Sequence, residues 1–137
     1  MLATLKDIKV IQLPYFPDPS GELVVMEGKT PVPFAIARAF VVRASTGSIR
    51  GQHAHKACSQ LMTCLNGIVA IHCDDGHSVV THTLDRMDQG LLVPPGIWAE
   101  CRYQSSAAVL MVLCDRPYEI EDYIRDHAEF KKYRGIK

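Results

Sequence analysis

Short apolar runs recur along the chain, and most alternate apolar and polar positions before glycine, proline or a small polar cluster closes them. "DIKVIQLP" predicts a first strand, which the cluster "PYFPDPSG" stops. "ELVVMEG" and "FAIARAFVVRA" predict the next two, and the His-x-His segment follows. "QLMTCL" and "IVAIHC" flank Asn66-Gly67, the strongest short-range hairpin signal in the chain. "SVVTHTL", "LLVPPGIW", "AECRYQ" and "AAVLMVLC" complete the strand-like runs. Only the tail "EIEDYIRDHAEFKKYR" has helical spacing, with Tyr123, Ile124, His127 and Phe130 three or four apart, though its first residues could equally extend as a strand. Many short strands, tight turns and one terminal helix predict an all-β sandwich or small barrel that holds a ligand between two sheets. Strand alternation puts Ile36, Arg38, Phe40 and Val42 on one face, Gln60, Met62, Cys64 and Asn66 on one face, and His53 beside His55.

Composition narrows this little but excludes some classes. A chain of 137 residues predicts one domain, 1–137. Fifteen basic and fifteen acidic residues cancel, so no nucleic-acid partner is expected. No apolar run is long enough for a membrane span, and the N-terminus has neither signal- nor transit-peptide character. Five cysteines, an odd number with no C-x-x-C, predict reduced structural thiols and a cytoplasmic location.

The candidate chemistry lies in "GSIRGQHAHKACSQLMTCLNG", residues 47–67. Gly47, His53, His55 and Gly67 have the spacing of a metal-binding β-barrel motif, in which two histidines at i and i+2 reach one point. The acidic position holds Gln60, and the later histidine position, after Gly90 and "PPG", holds Ala99. Losing two ligand positions weighs against a functional metal, since a working site needs three or four ligands. Three readings stay open: a metal site with an unforeseen third ligand, structural remnants, and metal-free proton transfer by the histidines, which the two absences favour. Arg38, alternating with apolar residues, and Arg50, just before the histidines, are candidate diphosphate ligands, because a guanidinium matches phosphate oxygens in bidentate fashion. Gln60 is a candidate for hydrogen bonding to a sugar hydroxyl or a histidine, with Trp98, Tyr103 and Tyr123 further substrate-binding candidates. His72, His77, His82 and His127 read as structural or surface residues. No histidine–aspartate couple is evident.

"RGQHAHKACSQLMTCLNG", "GLLVPPGIW" and "YEIEDYIRDHAEF", in that order, resemble the sugar 3,4-ketoisomerase family of the cupin superfamily. The resemblance implies a cupin jelly-roll barrel of two antiparallel sheets with a short C-terminal helix. It implies an isomerase that moves the carbonyl of dTDP-4-keto-6-deoxyglucose from C4 to C3 without metal or other cofactor. The product would supply 3-amino-3,6-dideoxy sugars for lipopolysaccharide O-antigen, S-layer glycans or antibiotics. It further implies a homodimer with exchanged N-terminal strands, and His55 as base with His53 beside it. The alternatives are a nucleotide-sugar epimerase in a similar barrel and a non-catalytic sugar-nucleotide-binding cupin.

Overall fold

The computed structural model describes residues 2–136. The chain forms β1 (Lys9–Gln12), β2 (Tyr15–Asp18), β3 (Gly21–Val24), β4 (Arg38–Ala44), β5 (Ile49–His55) and β6 (Gln60–Asn66). It continues with β7 (Val69–Asp74), β8 (Val79–Leu84), β9 (Gln89–Val93), β10 (Trp98–Tyr103), β11 (Ala108–Cys114), β12 (Tyr123–Ile124) and the helix α1 (His127–Tyr133). One five-stranded sheet runs β1-β9-β6-β11-β4 and the other β12-β5-β10-β7-β8, and every strand pair in them is antiparallel. This is the expected all-β jelly-roll, and its core lies between the two sheets.

Alternation works as the sequence indicates. In β7, Val69, Ile71 and Cys73 are fully buried, while His72 turns outward to Thr81 on β8. In β4, Arg38, Phe40 and Val42 face inward, and Ala39, Val41 and Arg43 are exposed. The five cysteines are free and buried.

Four local expectations change. Asn66-Gly67 closes no hairpin: β6 and β7 belong to different sheets. Its partner is the 104–108 loop instead, for Asn66 Nδ2 donates to the Ala107 carbonyl at 2.8 Å and Ser105 Oγ accepts from the Ile68 amide at 2.8 Å. Gly67 has φ +78°, and a Cβ there would run into Ser105 and Ala108, so the glycine serves a close approach between sheets. The "PYFPDPSG" cluster does not merely stop a strand, because Tyr15–Asp18 is β2, paired with β3. Pro17 is tolerated since this two-stranded ribbon has a free edge. Residues 34–37 precede β4 rather than extending it. The tail is α-helical only over α1, where the Asp126 side chain caps Ala128; Ile120–Asp122 is a 3₁₀ turn, and Tyr123–Ile124 pairs with β5.

Candidate active site

The site begins with a bulge in β5. His53 pairs with Ala99 and Gly51 with Glu100, which leaves Gln52 as the extra residue. Gly51 has φ +82° and Gln52 φ +53°. A Cβ on Gly51 would lie 3.1 Å from the Ala99 carbonyl oxygen, so Arg-Gly-x-His requires its glycine there. The bulge re-aims the strand, and the Gly51 carbonyl accepts a hydrogen bond from His53 Nδ1 at 2.9 Å. A carbonyl can only accept, so Nδ1 carries the proton and Nε2 keeps its lone pair. Burial lowers the His53 pKa to about 4, which leaves the ring neutral at physiological pH.

His55 sits two residues further along β5 on the same face, its ring centroid 5.0 Å from that of His53. Its Nδ1 donates to Asp122 Oδ2 at 2.7 Å. Asp122 also accepts from the amides of Ala57 (2.6 Å) and Cys58 (3.3 Å). Burial pushes the Asp122 carboxyl up, but these bonds outweigh it and hold its pKa below the usual range. Burial likewise holds the His55 pKa below its ordinary value despite the carboxylate. The pair is therefore a neutral imidazole on a carboxylate. Nε2 of His55 is buried without a hydrogen-bond partner. A ring nitrogen of His55, Sγ of Cys58 and an Asp122 oxygen lie within 4.8 Å of one another. Both Asp122 oxygens already take N–H donors, so hydrogen bonding accounts for this cluster.

A cavity of about 490 Å³ opens between the sheets. Arg38, Phe40 and Val42 form one wall, and Arg50, Gly51, Gln52 and His53 another. Gln60, Met62, Ala99, Cys101, Tyr103, Leu110 and Val112 form the interior, and Tyr118, Tyr123 and Arg125 close the C-terminal side. The Arg38 guanidinium lies 4.6 Å from the Phe40 ring centroid and 5.2 Å from that of Tyr118, and Nη1 donates to the Tyr123 hydroxyl at 3.4 Å. Its apolar neighbours are thus satisfied by cation–π contacts rather than by an acid.

The family described as "FdtA: WxcM-like, C-terminal" matches residues 6–135. The TDP-4-oxo-6-deoxy-alpha-D-glucose-3,4-oxoisomerase of Aneurinibacillus thermoaerophilus is 40% identical over 126 residues, 91% of each chain. The chain belongs to the sugar 3,4-ketoisomerase family. Its activity class is accordingly isomerase. The crystal structure of the sugar 3,4-ketoisomerase QdtA from Thermoanaerobacterium thermosaccharolyticum, in complex with TDP, superposes with a TM-score of 0.92 at 29% identity, covering 96% of this chain and 97% of that one. A 3,4-ketoisomerase from Helicobacter canadensis gives 0.90 at 31% identity, covering 94% and 98%.

Against this ketoisomerase frame, the structure brings Arg38, Arg50, His53, Gln60 and Tyr103 to one cavity. Tyr103 contributes ring surface, since its hydroxyl is buried and donates to the Val42 carbonyl at 3.3 Å. Gln60 Nε2 contacts Cys114 Sγ at 3.6 Å. Ala99, where a metal-binding cupin would place a histidine, presents a methyl group opposite His53. His53 lines the cavity, and His55 lies buried beside it, with Nδ1 on Asp122 and its backbone paired with β12. One expectation is corrected. Trp98 is not a substrate platform: Ala99 faces the cavity, so its neighbour Trp98 faces outward. There it packs with Ala54, Ile124 and Phe130, and its Nε1 donates to Glu100 at 3.1 Å. Trp98→Ala is expected to cost about 3–5 kcal/mol of stability, while Trp98→Phe keeps a ring in the cluster and should lose less. Thermal denaturation checks both.

Tyr123, a sequence candidate, also lines the cavity. Sequence reading missed Asp122 and Arg125, for which the Asp-Tyr-Ile-Arg-Asp block was the available signal.

Proposed function

We propose that the chain binds dTDP-4-keto-6-deoxyglucose and moves its carbonyl from C4 to C3, with His53 as the base at carbon. The observation that carries this reading is the neutral His53 on the cavity wall, its tautomer held by Gly51 so that Nε2 is free to accept a proton. A C3–H bond beside a C4 carbonyl is acidic enough for an imidazole to remove. The resulting enediolate bears negative charge on O4, which the Arg38 guanidinium can stabilise without a metal. His53 then returns the proton to C4. Arg50 and Arg125, at the same cavity, suit the diphosphate. A related QdtA structure, a histidine-to-asparagine variant in complex with TDP-4-keto-6-deoxyglucose, supports the substrate class.

One observation favours a second reading. The His55–Asp122 couple with Tyr123 beside it (ring centroids 4.4 Å apart) is apparatus expected of a nucleotide-sugar epimerase. Product NMR in deuterium oxide separates the two. Deuterium at C4 with the carbonyl at C3 is expected. Deuterium at C3 or C5, with inversion and the carbonyl retained at C4, would establish the epimerase.

The same proposal includes a single cupin domain over 1–137 and a homodimer exchanging N-terminal strands. In support, β2 and β3 pair only with each other among the described residues, and Phe16 and Leu23 on them are 58% and 56% exposed. β4 ends its sheet, with Val41 57% exposed, so it offers an unpaired edge to a second copy. Sedimentation should give a dimer, and Phe16→Glu with Leu23→Glu a monomer. Five free thiols support a cytoplasmic location. No helix among the described residues is long and apolar enough to cross a membrane.

A further inference from the structure

Moving a carbonyl from C4 to C3 relocates two protons. One passes from C3 to C4, and the other from O3 to O4. A base at carbon accounts for the first only. The second needs a group at the cavity that can both give and accept a proton, preferably beside a cation that stabilises its anion.

Few cavity groups qualify. Arg38, Arg50 and Arg125 remain charged and only donate, and the Gln60 amide does not exchange protons at this pH. The Tyr103 hydroxyl is committed to the Val42 carbonyl, and burial pushes its pKa up to about 12. His55 has its Nδ1 proton committed to Asp122 and its Nε2 buried, so it has no proton to give. Tyr118 is 51% exposed, where water levels any advantage. Tyr123 remains. It is half-buried, lines the cavity, and its hydroxyl oxygen accepts from Arg38 Nη1 at 3.4 Å. That bond leaves the Tyr123 O–H free to donate and places a guanidinium against the oxygen when it becomes a phenolate. The ring is fixed by pairing of Tyr123 with His55 and by its contacts with both histidines, at 4.4 and 5.0 Å between centroids.

We propose that the Tyr123 hydroxyl is the catalytic group that carries the proton between O3 and O4; this rests on the ketoisomerase reading. As His53 Nε2 takes the C3 proton, the C3–H electrons form the C3=C4 bond. The carbonyl π pair moves to O4, which takes the Tyr123 proton. The O3–H proton then passes to the Tyr123 phenolate, and the O–H pair forms C3=O3. The C3=C4 pair takes the proton from His53 at C4. Protons and electrons balance, and both residues return to their starting states.

Tyr123→Phe keeps the ring and removes only the hydroxyl. With dTDP-4-keto-6-deoxyglucose in deuterium oxide, carbonyl transfer should fall about 10²-fold or more. Deuterium exchange at C3 of recovered substrate should stay within tenfold of wild type, because Arg38 still faces O4. TDP affinity should stay within threefold. Carbonyl transfer within threefold of wild type, or exchange falling by the same factor as transfer, overturns the proposal. A second variant guards against misfolding. Fluorotyrosine at 123 keeps the hydroxyl and should restore carbonyl transfer to within tenfold of wild type, and a chain as slow as Tyr123→Phe overturns the role. A wild-type chain that leaves the 4-keto sugar unconverted refutes the ketoisomerase reading itself, an outcome distinguishable from loss in the variants alone.

Discussion

His53→Asn should lower carbonyl transfer by about 10²–10⁴-fold while TDP affinity stays within threefold. That range is what a positioned general base contributes, and the amide of Asn cannot accept the C3 proton. Asn can still donate to the Gly51 carbonyl, so the β5 bulge should survive. Solvent exchange at C3 should fall in step with turnover, unlike in Tyr123→Phe. The contrast with His55→Asn tests the assignment. That variant breaks a buried bond to Asp122 and should lose stability more than chemistry. If His55→Asn abolishes C3 exchange and His53→Asn does not, the base is His55. Titration gives an independent check. Burial lowers the His53 pKa to about 4, so its base form persists well below the ordinary imidazole range. The acid limb of kcat/KM should lie near 4, and a limb near about 6.5 would contradict a buried base. Stability follows the same sign. The unfolded chain takes up this proton first, so the His53 contribution is full above about 6.5 and is lost as pH falls through about 4.

Asp122→Ala should be the most destabilising single change at the site, by about 3–5 kcal/mol. The carboxylate receives three N–H donors from one short segment, His55 Nδ1 and the amides of Ala57 and Cys58. Its removal leaves all three buried or half-buried without a partner, each costing about 1–3 kcal/mol. For a domain of this size the melting temperature should drop by about 10–20 °C. Asp122→Asn retains an acceptor oxygen and should lose roughly half as much. Thermal denaturation followed by circular dichroism measures both. A drop below about 3 °C for Asp122→Ala would mean that water or a neighbour replaces the carboxylate. Because the Asp122 pKa is lowered on folding, its contribution is present above the ordinary carboxylate range and lost as acid protonates it.

Period-two alternation carried much of the fold and half of the site. It placed Arg38 with Phe40 and Val42, and His53 with His55, on inward faces, as the sheets show. It could not say which histidine meets the cavity. That depends on the Gln52 bulge and on a lid made 67 residues later by Asp122 and Tyr123, and long-range closure leaves no local periodicity. Tyr123 and Ile124 matched a helical stripe by coincidence, because their true partners are on β5. Asn66-Gly67 misled for a related reason. The dipeptide reports a permissive backbone, and a hairpin and a crossing between sheets need that permission equally. Trp98 followed directly from parity once Ala99 was known to face inward.

The segment from Tyr118 to Phe130 completes the site from beyond β11, and its own short strand β12 adds to the edge of the second sheet. Asp122 steadies His55, Tyr123 lines the cavity, and Phe130 pins both by packing on Trp98 and Ile124. During synthesis the other nine strands of the two sheets leave the ribosome before this segment does. A nascent barrel can therefore collapse around its apolar interior while its chemistry is still incomplete. Competence arrives as a late docking event, and a chain cut after Cys114 would keep His53 but lack Asp122 and Tyr123.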